Sequence, residues 1–293
     1  TKNRIIANST LRYDITDWLY TTVRGGVDHY TVRRTSVEPY GTAYKPLGGI
    51  NENEIRYTQI DADFIIGAEK DITDKLSTVA FFGANSNSIK TEQLDLGGND
   101  FIVPGLEDIS NTLTQSRGRS FSQRKIGSLY GSIELAYDKW AYITFTGRND
   151  WFSTLSAPGK TTPNDGFYPS INTSVILSEV LEMPSFVNFL KVRGGYSEVA
   201  GGAQNPYDLS LTYQIFGNPV NGQPLGSVNG GTVPNSNLVP YHKEETEIGL
   251  DARLFNNRLS LDLAYYTNTT TNDIVDVSTS VFSGYGGAKA NLG

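Results

Sequence analysis

The sequence has no cysteine, a single methionine and only two histidines in 293 residues. The missing thiols exclude a disulfide framework and thiolate metal sites. No run of about 18 apolar residues occurs, so no helix is expected to cross a membrane. That leaves strand-built spans open, because a strand that alternates apolar and polar residues has low mean hydropathy. No Ala/Leu/Glu/Lys-rich run suggests a helical bundle. Positive charge is also short. Lys and Arg number 24 against 31 Asp and Glu, for a net charge of −7, and no basic stripe marks a nucleic-acid partner. A Gly-x-Ser-x-Gly elbow is missing, and no local ligand spacing points to a metal or to a cofactor. The chain opens at Thr1 without a signal peptide and stops at Asn291-Leu292-Gly293. Both ends are read as cuts in a longer protein.

What is present is the material of strands and turns: 30 Gly, 17 Tyr and 13 Phe, with abundant Thr, Ser and Asn. Side chains on a strand alternate between faces. Ile5, Ala7, Ser9 and Leu11 share one face early in the chain, against Asn8, Thr10 and Arg12. Ile60, Ala62, Phe64 and Ile66 alternate with Asp61 and Asp63, and Ile143, Phe145 and Gly147 with Thr144, Thr146 and Arg148. Late in the chain Thr246, Ile248, Leu250, Ala252 and Leu254 alternate with Glu245, Glu247, Gly249, Asp251 and Arg253. Asn256-Asn257 turns the chain, and Leu259, Leu261, Leu263 and Tyr265 follow.

The order of connections matters more than any one strand. Ten strands and the start of an eleventh come in pairs. Short turns at Thr16-Asp17, Asp71–Lys75, Asp138-Lys139 and Asn256-Asn257 close the pairs. Long polar stretches at about 34–54, 86–124, 149–166 and 199–241 join them. Short–long alternation of this kind predicts an antiparallel transmembrane β-barrel with tight periplasmic turns and long extracellular loops. Trp18, Tyr20, Tyr137, Trp140 and Phe255 lie beside the short turns, where aromatic rings favour a membrane interface. Cross-strand aromatic pairing would place them there too.

Several segments resemble the SusC-type (SusC/RagA) TonB-dependent outer-membrane transporters. They are Tyr142 to Asp150 with its Gly-Arg-Asn-Asp ending, Phe167-Tyr168-Pro169-Ser170, Leu177-Ser178-Glu179 and Phe189 to Tyr196. Pro234 to Leu238, Glu244 to Asp251, Phe255 to Leu259, Tyr265-Tyr266-Thr267 and Asn291-Leu292-Gly293 follow in the family's order. Together they cover roughly residues 125–293. Gly195, Glu198-Val199-Ala200 and His242-Lys243 depart from the pattern at loop edges.

The resemblance implies an all-β chain forming 10–11 strands of a 22-stranded barrel, without the plug domain. It implies import of oligosaccharides, glycan fragments or peptides across the outer membrane. The implied partners are outer-membrane lipid, a SusD-like surface lipoprotein, and TonB with ExbB and ExbD acting through a plug that this chain lacks. No catalytic residue is implied. Arg148-Asn149-Asp150 is expected to anchor a loop.

Aromatic residues in the long loops are the candidates for substrate contact: Trp151, Phe152, Tyr207, Tyr213, Phe216 and Tyr241. Each could stack on a sugar ring or pack the loop itself. Two other classes stand beside the transporter. One is a small complete barrel, either a pore or an omptin-like protease using His242 near Glu244 and Glu245. The other is a soluble β-rich binding or adhesion module.

Overall fold

The computed structural model describes residues 1–215, 220–228 and 231–293. Ten strands form one sheet in the order β1-β2-β3-β4-β5-β6-β7-β8-β12-β13. They are β1 (Lys2–Asp14), β2 (Leu19–Glu38), β3 (Gly49–Thr73), β4 (Leu76–Phe101), β5 (Thr112–Tyr137), β6 (Ala141–Phe152), β7 (Asp165–Ile176), β8 (Val187–Gly201), β12 (Tyr241–Leu254) and β13 (Leu259–Thr271). Short strands β9 (Tyr213–Ile215) and β10 (Gly226–Val228) pair with each other. A second small sheet joins β11 (Thr232–Val233), β15 (Gly287–Leu292) and β14 (Asp273–Ser278), with β11 parallel to β15.

The short turns form as their sequences require. Thr16 Oγ1 accepts the backbone N–H of Leu19 at 3.0 Å, and Thr73 Oγ1 accepts that of Leu76 at 3.1 Å. One hydroxyl thus closes each turn without help from another strand. Asp138 and Lys139 both take positive φ, and the Trp140 N–H closes the turn onto the Tyr137 carbonyl at 3.1 Å. Phe255, Asn256 and Asn257 do so in succession.

Two of the expected loops are mostly strand. β2 continues to Glu38 and β3 begins at Gly49, so the connection expected at 34–54 shrinks to residues 39–48. β4 runs to Phe101 and β5 starts at Thr112, which leaves 102–111 of the expected 86–124. β3 has 25 residues and β4 and β5 have 26 each. At about 3.3 Å per residue such strands reach roughly 80 Å, several times an apolar band of about 25 Å. Outside that band both faces are polar, so alternation vanishes from the sequence while the hydrogen-bonded ladder continues.

The described chain divides into two compact units. The first contains Thr1–Leu11, Arg24–Ala62 and Ser86–Lys125. On one of its faces Tyr30 stacks on Tyr57 with centroids 4.7 Å apart, and Arg4 forks onto Asp28. The second contains Arg12–Val23, Asp63–Asn85 and Ile126–Gly293.

In the second unit, register between β8, β12 and β13 puts Arg193, Gly249 and Ala264 on one face, in one row, and Val192, Leu250 and Leu263 on the other. The apolar face is open: Phe64, Phe82, Phe145, Ile248 (62 % exposed), Leu263 and Tyr265 all lie bare. The packed core sits instead in the connections. Phe152, Leu155, Ala203, Leu209 and Leu238 bury one another, with Ile126, Ala157 and Ile274 against them. The connections that follow β6, β8 and β13 thereby form one cluster.

Candidate functional site

On the polar face of the second unit, β5, β6, β7, β8 and β12 line a groove of about 450 Å³ that includes Glu134, Tyr142, Asn172, Arg193, Glu245 and Glu247. Even-numbered residues of β6 and β7 and odd-numbered residues of β8 and β12 converge here because the registers are unbroken through the groove, the one shift between β8 and β12 falling beyond it at Arg253/Leu254. Arg193 donates to Glu247 at 3.2 Å and to Asp262 at 2.9 Å. Thr144 donates to Glu134 at 3.3 Å. Donors and acceptors alternate over this wall and both signs of charge are present, so it can exchange hydrogen bonds with a hydrated polar ligand.

The Gly-Arg-Asn-Asp segment builds a denser knot. Arg148 Nε donates to Asp150 at 2.8 Å and to the Tyr168 hydroxyl at 2.9 Å, and Nη2 donates to Ser128 at 2.7 Å. The Tyr168 hydroxyl donates to Asp150 as well, and Arg148 lies 5.4 Å from the Tyr130 ring centre. Asp150 and Ser128 are buried. A buried carboxylate holding two donors, beside a guanidinium whose donors are also engaged, is a fastening between β5, β6 and β7. Directly after it the chain enters the packed cluster at Phe152.

Further segments that carry the family resemblance also stitch the connections. Asn291 Nδ2 donates to the Val239 carbonyl at 2.9 Å, and its Oδ1 accepts the Val239 N–H at 2.9 Å. Asn235 donates to the Lys289 carbonyl at 2.9 Å, and Leu238 is fully buried. Beneath them the Lys289 ammonium lies 2.8 Å from Asp276 and 3.7 Å from Asp208. Burial pushes the Asp208 carboxyl above its ordinary range, with Lys289 opposing. The bond to Asp276 holds Lys289 above its own ordinary value. Sequence reading missed this trio, because 208, 276 and 289 carry no local pattern.

The six aromatic candidates scatter. Phe152 is 4 % exposed inside the loop cluster, so it packs the loop rather than presenting a face to a ligand. Trp151 shares parity with Phe145 and Ile143, so its 40 % exposed ring stands on the apolar face and not in the polar groove. Tyr241 covers Gly201, where a Cβ would overlap its ring. Tyr207 is exposed at positive φ beside a loop groove of about 390 Å³, and Tyr213 is exposed on β9. Phe216 lies outside the described residues. The turn-side aromatics are better placed: Tyr137 meets Trp140 edge-on at 5.7 Å and Phe186 stacks on Phe255 at 5.7 Å. Tyr20 departs from that belt. It lies under Arg12 and covers Gly67 on the polar face.

His242 pairs with Ala200 and Thr271 in the ladder, and His29 Nδ1 lies 2.8 Å from Thr58 Oγ1. Among the described residues no group of three or more His, Asp or Glu converges as a metal site.

An antiparallel sheet with one bare apolar face, one charged face, tight turns at one end and built-up connections at the other is the wall of a membrane β-barrel. The chain belongs to the TonB dependent receptor-like β-barrel family, which matches residues 2–291. This is an outer-membrane family of transporters, not enzymes, which sets aside the omptin-like protease and the soluble module.

Among relatives, TonB-dependent receptor P26 of Formosa agariphila is 26 % identical over 252 residues, covering 84 % of this chain and 24 % of the relative. Receptor P39 of the same organism is 24 % identical over 277 residues, or 92 % and 26 %. The chain thus spans about a quarter of the length of these relatives. Among solved structures, the RagAB peptide transporter superposes with a TM-score of 0.91 at 20 % identity, over 99 % of this chain and 32 % of that one. The ferric-catecholate import receptor Fiu of E. coli gives 0.55 at 12 % identity, over 100 % and 43 %.

Proposed function

We propose that the whole protein to which this barrel wall belongs imports oligosaccharides, glycan fragments or peptides across the outer membrane by TonB-dependent active transport. A SusD-like surface lipoprotein would present the substrate, and TonB with ExbB and ExbD would drive entry. In this reading the short turns face the periplasm. The tips of β2–β5 and the clustered connections after β6, β8 and β13 face the outside.

What carries the reading is the mixed-charge groove on the inward face of a TonB-dependent receptor wall. A wall that exchanges hydrogen bonds without one dominant charge suits a neutral or zwitterionic polar cargo such as a glycan or peptide. The RagAB neighbour is a peptide transporter, which keeps peptides beside sugars as cargo.

The test is growth of a strain lacking the gene, on defined oligopeptides or on defined oligosaccharides as the limiting nutrient. The expected result is loss of growth on one of the two classes, reproduced by deleting tonB. Unchanged growth on both would overturn the reading.

A further inference from the structure

The outward face of the first unit changes character within a few residues. Ile5 and Ile60 lie bare on that face. Beyond Ile60 on β3, the residues of the same parity are Thr58, Arg56, Glu54 and Glu52. Glu54 accepts from Arg33 of β2 at 2.6 Å and from Arg56 at 2.6 Å. On β4, Glu92 lies 3.1 Å from the Lys90 ammonium and 3.5 Å from Arg119 of β5. Each carboxylate is therefore shared by two cations, and each trio keeps one net positive charge. Glu54, Arg56, Glu92, Leu94 and Arg119 border one shallow groove of about 290 Å³. The cationic side chains stay open to solvent, Arg33 at 70 % and Arg119 at 75 %. Phe121 adds a ring 5.5 Å from the Lys90 ammonium.

We propose that this face holds the phosphorylated headgroup of an anionic outer-leaflet glycolipid, with its acyl chains along the Ile5–Ile60 surface. Guanidinium forks pair with phosphate oxygens in two parallel hydrogen bonds, and cations at a membrane edge draw anionic headgroups. The cations stand on the face that meets lipid, directly beyond its apolar residues. A soluble anion would gain nothing from that neighbouring apolar surface. The two trios offer two separate positive centres, which matches a headgroup with two phosphates. The proposal rests on the extracellular placement of the β2–β5 tips given above.

The experiment uses the full-length outer-membrane protein in detergent, with bis-phosphorylated lipid A and its dephosphorylated form as probes, read by native mass spectrometry. The expected result is at least tenfold better retention of the phosphorylated form. That preference should fall about tenfold in Arg33→Gln/Arg56→Gln/Lys90→Gln/Arg119→Gln and rise in Glu54→Gln/Glu92→Gln. The second variant keeps the proposal falsifiable should the first fail to fold, because a purely structural role for these ion pairs predicts weaker binding, not stronger.

Equal retention of both lipids, or no gain in Glu54→Gln/Glu92→Gln, overturns the proposal. So does displacement of the lipid by millimolar inorganic phosphate, which would reveal a simple anion site. Labelling of Thr42→Cys on whole cells by an impermeant maleimide separates the two readings. Labelled cells with no lipid preference overturn the lipid site alone, and unlabelled cells overturn the extracellular placement and the lipid site with it.

Discussion

Arg193 of β8 reaches Asp262 of β13 at 2.9 Å by lying across Gly249 of the strand between them. A Cβ at position 249 would overlap the arginine side chain. The glycine is therefore the opening through which one charge crosses a whole strand. Val at position 249 should push Arg193 off both Glu247 and Asp262. Substrate uptake should fall in Gly249→Val and in Arg193→Met alike, and the double variant should be no worse than either, because the two changes remove one interaction. Additive losses, measured as uptake rates in whole cells, would mean that the two residues act separately.

Tyr130 repeats the device on the neighbouring wall. Its ring occupies the space over Gly83, and its hydroxyl donates to Asp63 at 2.5 Å. Gly83→Val should cost about 1–3 kcal/mol by overpacking, seen as a lower temperature for loss of heat-modifiable migration. Tyr130→Phe keeps the ring and should cost only about 1 kcal/mol. If the two variants were equally unstable, the ring-over-glycine contact would not be what matters.

The bare apolar face sets a depth-dependent penalty. Ile248→Arg should hinder assembly by roughly 2–4 kcal/mol if the position lies near mid-bilayer. Glu247→Arg, one residue away on the polar face, should assemble normally. Folding yield into vesicles compares the two. Equal yields would reverse the assignment of faces.

The Asp208–Lys289–Asp276 trio gives the loop cluster a pH dependence with two signs. Lys289 is held above its ordinary value, so its contribution is present at neutral pH and is lost as pH climbs through and beyond the usual lysine range, about 10.4. Asp208 is raised by burial, so its charged form costs stability above the usual carboxylate range, about 3.9, and protonation relieves that cost. Lys289→Met removes the nearby ammonium that opposes this rise. The variant should be readily nicked within residues 202–240 at pH 8 and regain protection near pH 4. Limited proteolysis across that range reads the effect, and protection that does not improve in acid would exclude Asp208 as its source.

The faces of β6, β12 and β13 were legible in the sequence, since each residue's neighbour on a strand points the opposite way whatever the rest of the fold does. Thr16-Asp17, Asp138-Lys139 and Asn256-Asn257 were legible for the same local reason: a hydroxyl or a tolerated positive φ closes each turn by itself. The upper halves of β3, β4 and β5 were not, because outside the bilayer nothing forces one face to be apolar. The surroundings of the aromatic candidates were not legible for another reason. A tyrosine over a glycine, a phenylalanine in a loop core and a tryptophan on the outer face share one composition and differ only in what stands opposite them.

By itself the sequence determined that this chain is a wall of alternating strands, apolar on one side and charged on the other, closed by tight turns. Those properties depend on a residue and its nearest neighbours. Only the tertiary structure decided that Arg193 meets Asp262 across Gly249, that Arg148, Asp150 and Tyr168 form one knot, and that Asp208 lies half-buried near Lys289. Such contacts are set by strand register and loop packing. Register couples residues tens of positions apart, and no local pattern records that pairing.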